Sequence, residues 1–118
     1  MPDLSIEAGR STRYYEKVTI DNTTGGVGFT AAKINGTGAV FEPTRACQEV
    51  MCTVELTGAA LGDPALRFTT DGTAPTTTVG HLLGHGDVLT LKNVFDIQNF
   101  RAIRTGAVSA DLHVSYKY

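Results

Sequence analysis

Two stretches of the chain alternate strictly between apolar and polar positions. Val108, Ala110, Leu112, Val114 and Tyr116 interleave with Ser109, Asp111, His113, Ser115 and Lys117, the period-two pattern of a strand with one wet face. Over residues 46–57, Val50, Cys52, Val54 and Leu56 share one parity and Glu49, Met51, Thr53 and Glu55 the other, which predicts a half-buried strand rather than a helix. Shorter runs predict strands at 13–20, at 100–104, and at 65–70 with Leu66 and Phe68 inward and Arg67 and Thr69 outward. Residues 27–34 and 37–42 flank Asn35-Gly36, a strong hairpin signal, and 77–83 and 88–92 flank Gly84-His85-Gly86-Asp87, which predicts a second hairpin. Only residues 93–99 suggest a helical turn, from the three-residue spacing of Val94, Ile97 and Phe100.

About eight short strands separated by turns predict an all-β fold: one antiparallel β-sandwich domain, jelly-roll or Ig-like, over residues 13–118. Residues 1–12 have no period and read as an extended N-terminal arm. Val54, Leu56, Leu66, Phe68, Leu89, Leu91, Leu112 and Val114 are the expected core.

Composition agrees. The 118 residues (12.5 kDa) fit one domain, large enough to bury a core without metal or disulfide. The 13 Gly and 17 Thr suit turns and strands. Ten Lys and Arg against twelve Asp and Glu leave a net charge of −2, without the cationic excess that binding a phosphate backbone requires, so no nucleic-acid partner is expected. The first twenty residues hold no apolar run, and no segment approaches the ~20 apolar residues of a membrane span. A protein made in a cytoplasm, with no membrane partner, is therefore expected. Cys47 and Cys52, placed in one strand, would lie roughly 16 Å apart, beyond disulfide reach, so both are expected as free thiols, Cys52 in the core and Cys47 incidental.

Candidate chemistry is sparse. His81, His85 and Asp87 lie close together, but on a strand end and a Gly-flanked turn rather than one helix face, so the spacing is read as fortuitous and no metal is expected. His113 reads as a solvated residue. Thr24-Gly25-Gly26-Val27-Gly28 lacks the Gly-Lys-[Ser/Thr] ending of a phosphate cradle and opens no helix. No nucleophile–base pair and no close carboxylate pair stands out, so neither enzyme activity nor a cofactor is expected. Arg10, Arg13, Tyr14 and Tyr15, at the end of the arm, are the candidate partner-binding residues, because Arg and Tyr bury large area while keeping directional hydrogen bonds.

LRFTTDGTAPTTTVGHLLGHGDVLTL (66–91), FRAIR (100–104) and the closing strand resemble the small β-sandwich structural proteins of tailed-phage virions, capsid decoration (cement) proteins among them. The match covers about half the chain and falls on turn and core positions. It implies a protein on the virion's capsid surface, with the major capsid protein and further copies of itself as partners. A head–tail connector or tail component of the same virion is the alternative. The turn at 69–76 is also similar to turns in C-terminal sandwich modules of some glycosidases, which keeps a carbohydrate- or receptor-binding module open.

Overall fold

The alternation at the C-terminal end becomes an interior strand of the larger sheet. The computed structural model describes residues 12–36 and 45–118, and within them seven strands form two antiparallel sheets with two short helices. Strand β7 (Ala110–Lys117) is buried at every second residue and is flanked by β1 (Thr12–Ile20) and β2 (Glu49–Glu55), while β5 (Val88–Leu91) pairs with the far side of β2. The second sheet has β3 (Pro64–Thr69) at its centre, between β4 (His81–Gly84) and β6 (Arg101–Arg104). This is the expected sandwich-like architecture. No helix among the described residues is long and apolar enough to cross a membrane.

Register defines two ends. At the proximal end lie the start of β1, the end of β7 and the start of β2, since Thr12 and Glu49 both face Lys117. At the distal end Ile20 faces Ala110 and Glu55 faces Asp111. The core between the sheets is centred on aromatic rings: Phe29 stacks on Phe100 at 4.4 Å, Phe68 lies 5.6 Å from Phe100, and Tyr116 meets Phe29 edge-on. Of the expected core, Val54, Leu66, Phe68, Leu91, Leu112 and Val114 are buried, whereas Leu56 and Leu89 are only partly covered. Leu56 lies beyond the end of β2, and β5 is an edge strand, so each lacks a neighbour on one side.

Several local expectations are corrected. Residues 27–34 do not form a strand. Val27 alone bridges Ala102, covering the edge of β6, and helix α1 (Ala31–Asn35) comes next. Asn35-Gly36 ends this helix instead of turning a hairpin: Gly36 adopts φ 68° and its N–H bonds back to Ala32, the left-handed cap that glycine takes without strain. The strand expected at 37–42 lies outside the described residues. Cys47 precedes β2 rather than belonging to it, and it is fully buried, its thiol donating to the Glu49 and Lys117 carbonyls at 3.1 and 3.3 Å. Both cysteines are free, and burial pushes the Cys52 thiol up to about 12, which makes it a poor nucleophile. Thr69 is buried despite its outward parity, because the adjoining loop folds over it and takes its hydroxyl on the Thr73 carbonyl.

The second expected hairpin is also absent. β4 pairs with β3 and β5 with β2, so the turn between them crosses from one sheet to the other. The Gly86 N–H donates to the Val54 carbonyl and the Val54 N–H to that of Asp87, on one sheet; the His85 N–H donates to Asp63 and the Gly62 N–H to His85, on the other. Helix α2 (Val94–Asn99) is the expected helical turn. Its N-terminus is capped by Asn93, whose side chain accepts from the N–H groups of Phe95 and Asp96.

Candidate functional site

Successive side chains of a strand face opposite ways, so β1 divides the two candidate tyrosines between the two sides of the sheet. Tyr14 lies inward at the proximal end. Its ring meets Tyr118 edge-on at 6.0 Å, and the Lys33 ammonium stands 5.7 Å from its centroid, within cation–π range. The Tyr118 hydroxyl donates to the Lys33 carbonyl, and the Arg45 guanidinium donates to the backbone oxygen of Tyr118. Burial raises the Tyr118 phenol above its ordinary value, which keeps it a neutral donor.

The backbone draws four segments to this end. The Gly36 cap brings the helix end against Arg45: a Cβ on Gly36 would lie 1.9 Å from the Arg45 carbonyl oxygen. The Cys47 N–H donates to the Ile34 carbonyl at 2.8 Å and the Gln48 N–H to that of Lys117 at 3.0 Å. The starts of β1 and β2, the end of α1 and the end of β7 therefore share one end, built from Tyr14, Tyr118, Lys33, Arg45 and Lys117. Residues 1–11 join the domain there, immediately before Thr12.

Tyr15 lies on the outer face of the larger sheet and is 61% exposed. Its hydroxyl is 2.6 Å from His113 Nδ1, and His113 Nε2 is 2.8 Å from Glu55 Oε1. The hydrogen bond from His113 holds the Glu55 carboxyl below its ordinary value. A carboxylate only accepts, so Nε2 carries a proton, and in the neutral ring Nδ1 accepts from Tyr15. His113 is thus the bridge between β1 and β2 across the wet face rather than an unattached solvated residue.

Arg10 lies outside the described residues, and of Arg13 only the backbone, within β1, is described. Tyr14 and Tyr15 do not combine into one contact patch, since they face opposite ways. Lys33, Arg45 and Tyr118, which complete the proximal end, come from distant parts of the sequence and carry no local signal there. Glu16 is a further functional position that the pattern does not single out. It takes inward parity with Tyr14 and Val18, and its carboxylate accepts from Thr30 Oγ1 (2.7–2.8 Å) and from the Tyr116 hydroxyl (2.8 Å), tying β1 to the core. An acid in an apolar series is the signal that could have found it.

His81, His85 and Asp87, whose spacing reads as fortuitous, each make contacts of their own. His81 packs on Phe68 at 5.3 Å, whereas His85 Nδ1 accepts from the Leu56 N–H at 2.9 Å and the Asp87 carboxylate accepts from the Gly84 N–H. Among the described residues no group of three His, Cys, Asp or Glu is placed to hold a metal ion. On the outer face of the smaller sheet a groove of about 320 Å³ runs between two loops, lined by Asn22, Thr24, Pro75, Thr76, Thr77 and Ile103 among others. Arg67 donates to the carbonyls of Thr77, which lines the groove, and of Gly80, at 3.0 and 2.8 Å. No protein family, curated protein or solved structure matches the chain.

Proposed function

We propose that this chain is a structural protein of a tailed-phage virion, a capsid decoration protein that attaches through its proximal end and stabilises junctions between capsomers. The observation that carries the reading is where β1 begins: Thr12 starts the strand at the end of the sandwich that holds Tyr14, Tyr118, Lys33 and Arg45, and Tyr and Arg are enriched at binding hot spots. A cement protein works by adding contact area at many equivalent positions, so modest affinity per copy suffices. The likeness of residues 66–91 and 100–104 to small virion sandwiches supports the same role. The N-terminal arm and the proximal end together are the attachment element in this reading, with Arg10, Arg13 and Tyr14 as its contacts and the major capsid protein as the partner.

The test removes residues 1–11 and adds the protein to purified shells that lack it. The melting temperature should stay within a few degrees while occupancy of the shell is lost. Full occupancy by the truncated protein would sink the role of the arm. Copy number in native particles separates decoration, at hundreds, from a connector or tail component, at six or twelve.

The groove supports a second reading, a carbohydrate- or receptor-binding module. Its lining combines Asn22, Thr24 and Thr77, which carry amide and hydroxyl groups, with apolar Pro75 and Ile103, a combination suited to a sugar's polar edge and apolar face. Binding of the full chain to an array of glycans, abolished by Thr77→Trp, would favour this module over the decoration protein.

A further inference from the structure

No stretch of the sequence sets a nucleophile beside a base, but the larger sheet assembles the pair from separate strands. Strand parity sends Tyr15 and Lys17 of β1, His113 and Ser115 of β7, and Glu55 of β2 to the same outer face, and register sets Tyr15 opposite Ser115 and Lys17 opposite His113. The Tyr15 hydroxyl lies 2.6 Å from His113 Nδ1, and His113 Nε2 lies 2.8 Å from Glu55 Oε1. Glu55 keeps the proton of the neutral ring on Nε2, so Nδ1 presents its lone pair to the phenol. A nucleophile, a base within hydrogen-bond reach and a third group that orients the base are the parts of an activated nucleophile.

The four tyrosines of the chain differ in their surroundings. Tyr116 is fully buried and donates to Glu16, Tyr118 donates to the Lys33 carbonyl, and burial raises both phenols. Tyr14 is half-buried at the proximal end. Tyr15 alone combines an exposed ring with a nitrogen acceptor at its hydroxyl. Lys17 and Ser115 flank it on the same face, so an ammonium and a hydroxyl stand close to where negative charge would develop. With Tyr15 and Glu55 both exposed, the site is an open face rather than a cleft. Selectivity therefore rests on the reactivity of the donor more than on its shape.

We propose that Tyr15 is an acyl-acceptor site: its hydroxyl attacks the carbonyl carbon of a small activated ester or thioester while His113 takes its proton. A bond forms between Tyr15 Oη and the carbonyl carbon, the bond from that carbon to the leaving oxygen or sulfur breaks, and the phenol proton passes to His113 Nδ1. The imidazolium then returns to neutral by giving that proton to the leaving group or to water, and Tyr15 keeps the acyl group as an aryl ester. Glu55 is the positioning residue: it holds the orientation of the ring and faces the positive charge that appears on it. The other charged groups around His113 are Lys17 on β1 and Asp111 on its own strand, and His85 from the corner acts on Glu55. Once acylated, Tyr15 has no proton to donate, so the link from β1 to His113 is lost. The proposal does not rest on attachment to a capsid.

The test treats the purified full chain with p-nitrophenyl acetate near neutral pH and locates the acetyl group by peptide mass mapping. Acetylation should fall on Tyr15 ahead of the other tyrosines and the lysines, and unfolding the chain in urea should erase that preference. Tyr15→Phe should abolish the fast release of nitrophenolate, and His113→Gln should slow acetylation of Tyr15 by about 10²-fold, the loss expected of a general base. In the wild-type protein the rate should rise between about pH 5 and 8, where an imidazole base loses its proton. Glu55→Gln should slow the reaction and move that rise to lower pH, because no negative charge then favours the protonated ring; a purely structural Glu55 would leave the rise in place. Thermal melts close to that of the wild type check that each variant is folded. Acetyl groups on lysines with Tyr15 unmodified, a rate at Tyr15 unchanged by His113→Gln, or nitrophenolate release undiminished in Tyr15→Phe overturns the proposal. None of these outcomes touches the attachment to a capsid, which is measured on shells.

Discussion

Leu112 shows what a single core position contributes. It is fully buried on β7 and faces Val18 on one neighbouring strand and Val54 on the other, so its side chain is enclosed across three strands. Truncation leaves a cavity that backbone paired on both sides cannot collapse around, and Leu112→Ala should cost about 2–5 kcal/mol in chemical denaturation. A loss below about 0.5 kcal/mol would show that the site is open. The polar core member Glu16 behaves differently. Its carboxylate accepts from Thr30 and Tyr116, so Glu16→Ala leaves two hydroxyls without their acceptor. Tyr116 is itself fully buried, and an orphaned buried donor costs about 1–3 kcal/mol. Tyr116→Phe removes donor and need together, and should recover most of that loss when combined with Glu16→Ala.

Among the elements, α1 depends on one backbone geometry. Gly36 combines φ 68° with a close approach to the Arg45 carbonyl, whereas Gly58 has φ 79° but no neighbour within 4 Å of a built Cβ. Gly58→Ala should therefore cost only the left-handed conformation, about 1–2 kcal/mol. Gly36→Ala must in addition push the Arg45 backbone away and loosen the proximal end, and should cost clearly more; equal losses in urea titrations would mean that the two segments are not in contact. The Asn35-Gly36 pair illustrates why such sites mislead a local reading. Positive φ at glycine serves a hairpin turn and a helix cap equally well, and the segments packed around it select between them. The strand pair at 81–91 is similar: the sequence predicts strands at 77–83 and 88–92 and they lie at His81–Gly84 and Val88–Leu91, but adjacency in sequence does not make them partners.

On the scale of the whole molecule, stability should respond to acid through surface carboxylates. Asp21, Asp71 and Glu55 are all held below their ordinary values, mainly by bonds from Thr23, Thr73 and His113 respectively. A carboxyl depressed in the folded state binds fewer protons there than in the unfolded chain, so its contribution is present above the ordinary carboxylate values of 3.8 and 4.5 and is lost as pH falls through the depressed folded values. Denaturation midpoints should therefore drop below about pH 4.5, and less steeply in Thr23→Ala, where the largest cause at Asp21 is removed. A midpoint flat to about pH 2 would exclude these contacts. At the alkaline extreme the sign reverses. The Tyr116 phenol is raised by burial and by its bond to Glu16, so its contribution is full below the ordinary tyrosine value and is lost as the pH climbs through the folded one.

Period-two alternation by itself determined β2 and β7, the faces they bury and the all-β class, because burying one side of a sheet is a requirement each strand meets with its own residues. The helical turn at 94–99 was legible for the same reason, since the three-residue spacing of Val94, Ile97 and Phe100 is local. Which strands pair was decided only in the tertiary structure, where the corner at 84–87 sends consecutive strands into different sheets through bonds to Val54 and Asp63. The candidate site divides in the same way. Tyr14 and Tyr15 were visible as residue types suited to an interface, but their opposite facing and the convergence of Lys33, Arg45 and Tyr118 on Tyr14 depend on contacts between residues far apart in the chain. Local pattern reports how each segment meets water and core; it holds no term for which distant segment lies beside it.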